Sequence, residues 1–277
     1  MSVLTERKID AHCHVLDPAR FPYAPDVAYR PAGQEMGDAR YFQQLMSCYA
    51  VEHALLVGPN SGYGTDNRCL LDAIQTSNGK FKGIAVVAND CPLDILAELK
   101  SKGVIGLAFN PSLHGFEHYA DIEPLLWRLK ELDLWAQFQV ENDQLQQFMP
   151  MLQRVDGKLM FDHCGRPAID AGPHQAGFQS LLALGREGRA VVKVSGYAKF
   201  SKAGFPFPDV RPFLDELVQN FGTQQCVWAS DWPYLKAPFR LDYGPMLKVF
   251  ESQFSKSDRD VMMWSAPQKH FGFQANN

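Results

Sequence analysis

Short, continuously apolar segments alternate with segments of helical periodicity along most of the chain. From this alternation we predict eight strands, with helical sequence after each of them. The predicted strands cover 8–15, 53–58, 81–87, 104–110, 134–140, 158–164, 191–196 and 226–230. The predicted helices cover 39–51, 66–77 (N-cap Thr65), 93–102, 121–132, 142–154 (N-cap Asn142), 175–187, 210–221, 245–253 and 257–271.

Continuously apolar strands that alternate with amphipathic helices imply parallel pairing with right-handed crossovers. Eight such units predict an α/β fold, a single (β/α)8 TIM barrel domain over residues 1–277. The alternative is a doubly wound open sheet, but no glycine-rich dinucleotide turn follows the first strand. Residues 16–38 are rich in Pro, Tyr, Gly and Asp, which predicts a long ordered loop.

Composition narrows the function classes. A formal charge of -4 gives no basic footprint, so we expect neither nucleic acid nor membrane as a partner. No apolar run approaches 18 residues, and the first residues are too polar for a signal peptide. The six cysteines form no Cys-x-x-Cys pair and predict reduced, buried thiols in a cytoplasmic protein. Oligomeric state leaves no signal in the sequence.

Histidines and an aspartate stand at the ends of three predicted strands. His12 and His14 alternate onto one face of the first strand, the sixth strand leads into His163, and Asp231 follows the eighth. Chemistry in a (β/α)8 barrel occurs at the carboxyl ends of the strands. The sequence therefore predicts one site that contains all four side chains.

We expect structural roles for two acidic residues near these histidines, Asp162 and Asp10. By strand alternation from His163, we expect Asp162 to face the helices and to need a hydrogen-bonded partner there. Asp10 shares the face of the two histidines, either as a group that supports them or as part of the core. The histidines that we expect to be structural or exposed are His53, His118, His174 and His270.

These motifs resemble the amidohydrolase superfamily. The likeness rests on His-x-His at 12–14, Asp-His-Cys-Gly-Arg-Pro at 162–167 and Ser-Asp-Trp-Pro at 230–233, and it extends over nearly the whole chain. The stretch 62–67, Gly-Tyr-Gly-Thr-Asp-Asn, and Val-Ser-Gly at 194–196 are similar to the branch of 2-pyrone-4,6-dicarboxylate lactonase, sugar lactonases and lactone isomerases.

The resemblance implies a hydrolase that opens the lactone ring of a small carboxylated substrate, of the pyrone dicarboxylate, sugar-acid lactone or muconolactone type. Its catalytic residues would be Asp231, which accepts a proton from water, and His12, His14 and His163, which polarise the carbonyl. The fourth and fifth strands lack the lysine that bridges two metals in other amidohydrolases. Some members of the branch work without metal, so we expect none to be required.

The same four residues are also a ligand set for one divalent metal, Zn²⁺ or Mn²⁺. This keeps open a mononuclear metal-dependent decarboxylase or hydratase, or a lactone isomerase of the same superfamily. A barrel that binds ligands without catalysis is a third alternative.

We expect the loops to bind the substrate. Arg166 is suited to a carboxylate because its guanidinium is a bidentate donor. The other candidates can donate hydrogen bonds to ring oxygens or carry a further positive charge: Lys199, Tyr63, Ser61 and Asn110. Relatives that bind dicarboxylates resemble Gly-x-Arg-x-Asn on the fourth strand, where this chain has Ala108, so one carboxylate clamp is missing here.

Overall fold

A computed structural model describes residues 2–274. Its eight strands form one sheet in the order β1 to β8, and the strand pairs with a defined register are parallel. The predicted (β/α)8 barrel fold is confirmed. The strands are β1 Lys8–Cys13, β2 Val51–Val57, β3 Phe81–Ala85, β4 Val104–Phe109, β5 Trp135–Phe138, β6 Lys158–Phe161, β7 Ala190–Val194 and β8 Cys226–Trp228.

Helices follow the strands as the periodicity predicts. They are α1 Ala39–Cys48, α2 Arg68–Thr76, α3 Leu93–Ser101, α4 Pro111–His114, α5 Glu123–Glu131, α6 Leu145–Val155, α7 Ala176–Arg186, α8 Arg211–Phe221, α9 Tyr243–Gln253, α10 Lys256–Asp260 and α11 Ala266–Phe271, with a π-helical turn at Val261–Ser265. Short 3₁₀ helices lie at Gly33–Glu35, Glu117–Tyr119, His163–Gly165, Ile169–Ala171, Tyr197–Lys199, Pro208–Val210 and Thr223–Gln225.

Two predicted helix N-caps are wrong. Helix α2 begins after Asn67 instead of Thr65, because the Asn67 side chain both donates to and accepts from the backbone of Val86. Helix α6 begins after Gln144, because Asn142 has a left-handed φ of 51° and donates its N–H to Arg166. Both asparagines tie a loop to a neighbouring segment, which a helical periodicity does not reveal.

Contacts divide the chain into two compact units. The described part of the first unit covers 2–87, 99–105 and 228–274, and the second covers 88–98 and 106–227. In the first unit, the ring of Phe42 stacks between those of Phe81 and Trp232. Gly37 packs so tightly on Trp232 that a Cβ there would approach the indole to 2.1 Å. The predicted single domain stays a prediction.

In the second unit, three phenylalanines at the same register show which face of the sheet meets the helices. Phe109, Phe138 and Phe161 stack side by side on β4, β5 and β6. Phe138 also contacts Phe148 of α6, so this row faces the helical layer. Strand alternation then turns Gln137 to the opposite face.

Within residues 2–274 the six cysteines form no disulfide, and five of the six are buried. Cys48, at the end of α1, is exposed, so the prediction of buried thiols is wrong for this residue. Among residues 2–274, none of the helices has the length and apolar character needed to cross a membrane.

Candidate active site

In the first unit, the end of β1 brings two imidazoles together with a carboxylate. The Nε2 atoms of His12 and His14 are 3.2 Å apart, and each lies 3.8 Å from Oδ1 of Asp231. The three side chains are between 1% and 10% exposed. The structure therefore brings together three of the four residues predicted for catalysis.

The protonation pattern of the histidine pair follows from one backbone contact. Nδ1 of His14 lies 2.8 Å from the carbonyl oxygen of Val57, which can only accept, so Nδ1 carries a proton. In a neutral ring this leaves a lone pair on Nε2 of His14. The 3.2 Å contact is then a hydrogen bond in which His12 donates.

Backbone hydrogen bonds fix Asp231 beside β1. The N–H of Asp231 donates to the carbonyl of His12 (2.9 Å), and the N–H of His14 donates to that of Trp232 (2.8 Å). Asp231 itself, three residues after β8, has a left-handed φ of 62°, and its side chain lies beside the imidazoles. The geometry of the trio is thus set by main chain as well as by side chains.

Asp10 supports this arrangement from below. Its Oδ1 accepts the N–H groups of Ser230 (2.9 Å) and His12 (3.2 Å), and its Oδ2 accepts the hydroxyl of Tyr243 (2.8 Å). Burial raises the pKa of Asp10 to about 6, although these hydrogen bonds oppose the shift. Of the two readings of Asp10, the structure supports that of a group beneath the histidines.

The trio also fits a single divalent cation. Ligand bonds of about 2.1 Å in a tetrahedral site place ligand atoms about 3.4 Å apart, close to the separations of 3.2 to 3.8 Å found here. The proton on Nδ1 of His14 leaves Nε2 as the ligating atom, an arrangement typical of metal-bound histidine. The donor set suits Zn²⁺ or Mn²⁺.

In the second unit, His163 lies on a turn with an unusual backbone. Four successive residues have positive φ: 52° at His163, 59° at Cys164, 74° at Gly165 and 44° at Arg166. Such angles cost about 1–2 kcal/mol for each residue other than glycine. Backbone strain of this kind persists only where surrounding contacts enforce it.

Contacts from β7 and its following turn hold the His163 ring. Its Nδ1 lies 3.0 Å from Oγ of Ser195. Gly196, with a φ of 65°, lies against the ring, and a Cβ at this position would approach Nδ1 to 2.5 Å. Only glycine therefore allows the imidazole to pack here.

The predicted orientation of Asp162 is wrong. Its Oδ2 accepts from Nε2 of Gln137 (2.8 Å) and its Oδ1 lies 3.1 Å from Nζ of Lys193, on the face opposite the phenylalanine row. A carboxylate oxygen of Asp162 and a ring nitrogen of His163 are within 4.8 Å of each other. Asp162 has an extended backbone and alternates with Phe161, whereas the left-handed turn that begins at His163 breaks the alternation, so His163 gives the wrong phase for Asp162.

Arg166, at the end of this turn, is already engaged. Its guanidinium lies 2.8 Å from a carboxylate oxygen of Glu141 and donates to the hydroxyl of Ser112 at 2.8 Å. Asn110 caps α4, because its Oδ1 accepts from Leu113 N–H and from the Ser112 hydroxyl. Arg166 and Asn110 thus belong to one polar cluster.

The other candidate binding residues, Tyr63, Ser61 and Lys199, lie on other segments of the sequence than that cluster. Tyr63, in the first unit, is 3% exposed, and its hydroxyl accepts the N–H of Asp17, so it holds the loop after β1. Ser61 lies in the same unit, two residues earlier, and is partly exposed. Lys199 ends the 3₁₀ helix that follows Gly196 and is also partly exposed.

Sequence reasoning missed Lys193, Gln137 and Ser195. Each is a polar residue within or just after an apolar strand, as in Val-Val-Lys-Val-Ser on β7. A charged side chain in a continuously buried strand needs a partner on the same face. That requirement was the available signal for the Asp162 contact.

Comparisons with known proteins agree with this picture. The chain is similar to 4-sulfomuconolactone hydrolase of Rhizobium radiobacter, with 32% identity over 232 residues that cover 81% of this chain and 75% of the relative. It is 29% identical to 2-pyrone-4,6-dicarboxylate hydrolase of Comamonas testosteroni over 243 residues, 82% of this chain and 76% of the relative.

Solved structures share the fold over nearly their whole length. The structure of a putative 2-pyrone-4,6-dicarboxylic acid hydrolase from Pseudomonas putida matches with a TM-score of 0.82 and 29% identity, and 98% of this chain and 99% of that one are covered. An amidohydrolase from Burkholderia multivorans with bound zinc has the same fold at 20% identity (TM-score 0.72, 97% and 100% covered).

The family model described as amidohydrolase matches residues 9–273, which include β2 to β8 and all of β1 except Lys8. The match agrees with the His-x-His motif and with the sheet order. The chain belongs to this amidohydrolase family.

Proposed function

We propose that the protein is a lactonase, a hydrolase that opens the ring of a small carboxylated lactone. The observation that carries the proposal is the buried trio of His12, His14 and Asp231, which combines hydrogen-bond donors with a proton acceptor within 3.8 Å. The relatives named above hydrolyse sulfomuconolactone and pyrone dicarboxylate by name, and both names denote cyclic esters.

Asp231 acts as the general base in this proposal. It accepts a proton from water as the water oxygen attacks the lactone carbonyl. When the ring C–O bond breaks, the same proton passes from Asp231 to the leaving alkoxide, which becomes the hydroxyl group of the product. Water is thus divided between the new carboxylate and the new hydroxyl group.

The histidines stabilise the negative charge that develops on the carbonyl oxygen. Nδ1 of His14 donates its proton to a hydrogen bond with the carbonyl of Val57, so this ring keeps a fixed orientation during the reaction. His12 supplies a donor at Nε2, which passes from Nε2 of His14 to the carbonyl oxygen when the substrate binds. His14 adds a second donor at Nε2 only as an imidazolium, with protons on both ring nitrogens. We propose His163 as a third donor, on the grounds that it follows β6 at the end of the strand where barrel chemistry occurs.

We propose that the reaction needs no metal, because a lactone is a reactive ester that requires less activation than an amide. The alternative is one Zn²⁺ or Mn²⁺ held by His12, His14, His163 and Asp231. A bound metal would polarise the carbonyl and lower the pKa of water. Elemental analysis of the purified protein, together with activity before and after chelation, distinguishes the two forms.

For the substrate we propose a small lactone with at least one carboxylate, recognised by Arg166. Glu141 neutralises part of the Arg166 charge, so binding would replace one carboxylate partner with another. Lys199, Tyr63, Ser61 and Asn110 are proposed as further contacts. The absence of an arginine at Ala108 favours a substrate with fewer carboxylates than pyrone dicarboxylate has.

The test is hydrolysis of a panel of sugar-acid, muconolactone and pyrone lactones by the wild type and by Asp231→Asn. Because asparagine cannot accept the proton, kcat should fall by about 10²–10⁴-fold with little change in KM. Asp133→Asn, which alters an exposed carboxylate that pairs with Lys158, is the matched control and should leave kcat unchanged. Full turnover by Asp231→Asn would contradict the role of Asp231.

The fit of the trio to a cation supports a second candidate function, a metal-dependent decarboxylase, hydratase or lactone isomerase of the same superfamily. This candidate predicts that metal content and activity disappear together on chelation and return with Zn²⁺ or Mn²⁺. It also predicts that the wild type consumes no lactone by hydrolysis, so that product analysis separates it from the lactonase.

A further inference from the structure

A closed ring of three buried polar side chains lies directly before the turn that carries His163. Nζ of Lys193 donates to Oε1 of Gln137 (2.5 Å), Nε2 of Gln137 donates to Oδ2 of Asp162 (2.8 Å), and Nζ of Lys193 lies 3.1 Å from Oδ1 of Asp162. Lys193, Gln137 and Asp162 are 0%, 1% and 2% exposed. We call these three side chains the lysine ring.

Burying the charges of the lysine ring costs desolvation free energy, which is a high cost for a contact that only packs the core. Removing two charges from water often costs more than their attraction returns, and apolar side chains of similar size frequently replace such pairs without loss of stability. Here the ring joins β5, β7 and the residue after β6. Its position suggests a task that apolar packing does not perform.

The four residues that follow Asp162, His163 to Arg166, indicate what this task is. The left-handed run from His163 to Arg166 must be enforced from outside, and Asp162, with an extended backbone, is the residue immediately before the run. At the other end, the carbonyl of Arg166 accepts the N–H of Asn142. The lysine ring fixes the first end of the turn, and this hydrogen bond fixes the second.

The lysine ring also acts on the imidazole. Ser195, the partner of Nδ1 in His163, has a hydroxyl that can either donate or accept, so it does not select a tautomer. The Asp162 carboxylate can only accept, and it lies within 4.8 Å of a ring nitrogen of His163. Lys193 and Gln137 hold this carboxylate in place, so its negative charge favours a proton on the nearer ring nitrogen.

We infer that Lys193 and Gln137 are positioning residues for His163, and that they act through Asp162 to fix the turn and the tautomer of the imidazole. The inference rests on the proposed lactone hydrolysis for its kinetic test only. Its spectroscopic test needs no substrate.

The kinetic test is a double-mutant cycle on the best lactone found. Lys193→Met should lower kcat by about 10–100-fold with KM within about threefold, which is the pattern of a misplaced catalytic group. In a His163→Asn background the same change should have no further effect, because the residue through which it acts is gone. Effects that multiply in the double variant would overturn the inference.

The control is Lys8→Met, which removes the other fully buried lysine and lies in the first unit. It should leave kcat unchanged. Gln137→Leu serves as a milder variant if Lys193→Met does not fold, since the Lys193–Asp162 pair remains. It should lower kcat by about 3–10-fold, and an unchanged kcat in the folded Gln137→Leu protein would overturn the inference.

The spectroscopic test records two-bond ¹H–¹⁵N spectra of the ¹⁵N-histidine protein without substrate, with His163 assigned from its loss in His163→Asn. Wild type and Lys8→Met should show one sharp tautomer for His163. Lys193→Met or Gln137→Leu should show a mixed or exchange-broadened signal. An unchanged His163 signal would overturn the inference, whereas a wild type that hydrolyses no lactone would overturn the proposed function alone.

Discussion

Two lysines, one in each unit, are fully buried but have opposite kinds of partner. Lys8, at the start of β1, donates to the backbone carbonyls of Glu6 and Tyr49, and burial lowers its pKa from 10.5 to about 8. Lys193, on β7, meets the carboxylate of Asp162 and the amide of Gln137. Carbonyl dipoles can hold a lysine at a strand start, whereas a carboxylate partner makes the lysine part of a charged pair that orients its neighbours.

Burial by itself does not indicate that a lysine has a functional role. Both side chains satisfy the rule that a buried ammonium needs acceptors. Only Lys193 lies next to a strained turn with a candidate catalytic histidine. Variants of the two lysines should therefore have different effects, and equal effects would contradict this contrast.

The largest expected effect is on the stability of Lys193→Met. Removing one member of a buried pair leaves Asp162 as an uncompensated charge, which costs about 3–5 kcal/mol of unfolding free energy. Urea denaturation followed by circular dichroism measures this loss. If Lys193→Met is as stable as the wild type, Asp162 is not held as a buried anion and the two lysines are equivalent.

The second effect concerns pH and Lys8. Its folded-state pKa of about 8 lies below the unfolded value of 10.5, so the unfolded chain binds more protons between these values and stability rises with pH across this window. The gain is on the order of 3 kcal/mol. Comparing the unfolding free energy of wild type with that of Lys8→Met from pH 7.5 to 10.5 isolates this group. Parallel pH profiles of the two proteins would contradict the lowered pKa.

A third cation, Arg166, differs from both lysines because it is partly exposed and paired with Glu141. Unlike the buried lysines, it is proposed to meet the substrate. Arg166→Met should raise KM with little effect on kcat, by an amount that corresponds to about 1.5–3 kcal/mol for a lost charge-assisted hydrogen bond. Steady-state kinetics on the best lactone measures the change, and unaltered KM would remove Arg166 from the binding site.

The smallest effect is expected at Lys158, at the start of β6. Its ion pair with Asp133 is exposed on both sides, so Lys158→Met should change the unfolding free energy by less than about 1 kcal/mol. The same urea measurement applies. A loss as large as that of Lys193→Met would show that exposure does not distinguish these pairs.

Much of the fold could be predicted from the sequence, because the alternation of apolar strands and amphipathic helices is a local property. All eight predicted strands are present, although each of them ends one to three residues earlier than predicted. Their last residues enter turns whose backbone angles the hydrophobic pattern does not report. After β6, Gly165 is the residue type that favours a left-handed backbone, but the run of positive φ also includes Cys164 and Arg166.

The site could be predicted in part. His12, His14 and Asp231 were found because each is polar at the end of an apolar strand, and the structure brings them together. Asp162 was misoriented because the phase of β6 was taken from His163 instead of Phe161, which faces the helices with Phe138. That His163 shares a pocket with the trio stays a prediction.

The lysine ring also constrains when the candidate site can exist during folding. Gln137 and Lys193 are 56 residues apart in sequence, so their contact closes a long loop and cannot form from local structure alone. We infer above that the turn at His163 is positioned through that contact. A nascent or partly unfolded chain that lacks β7 would therefore display a relaxed loop in place of the turn, and its His163 would gain its orientation only when this part of the sheet is complete.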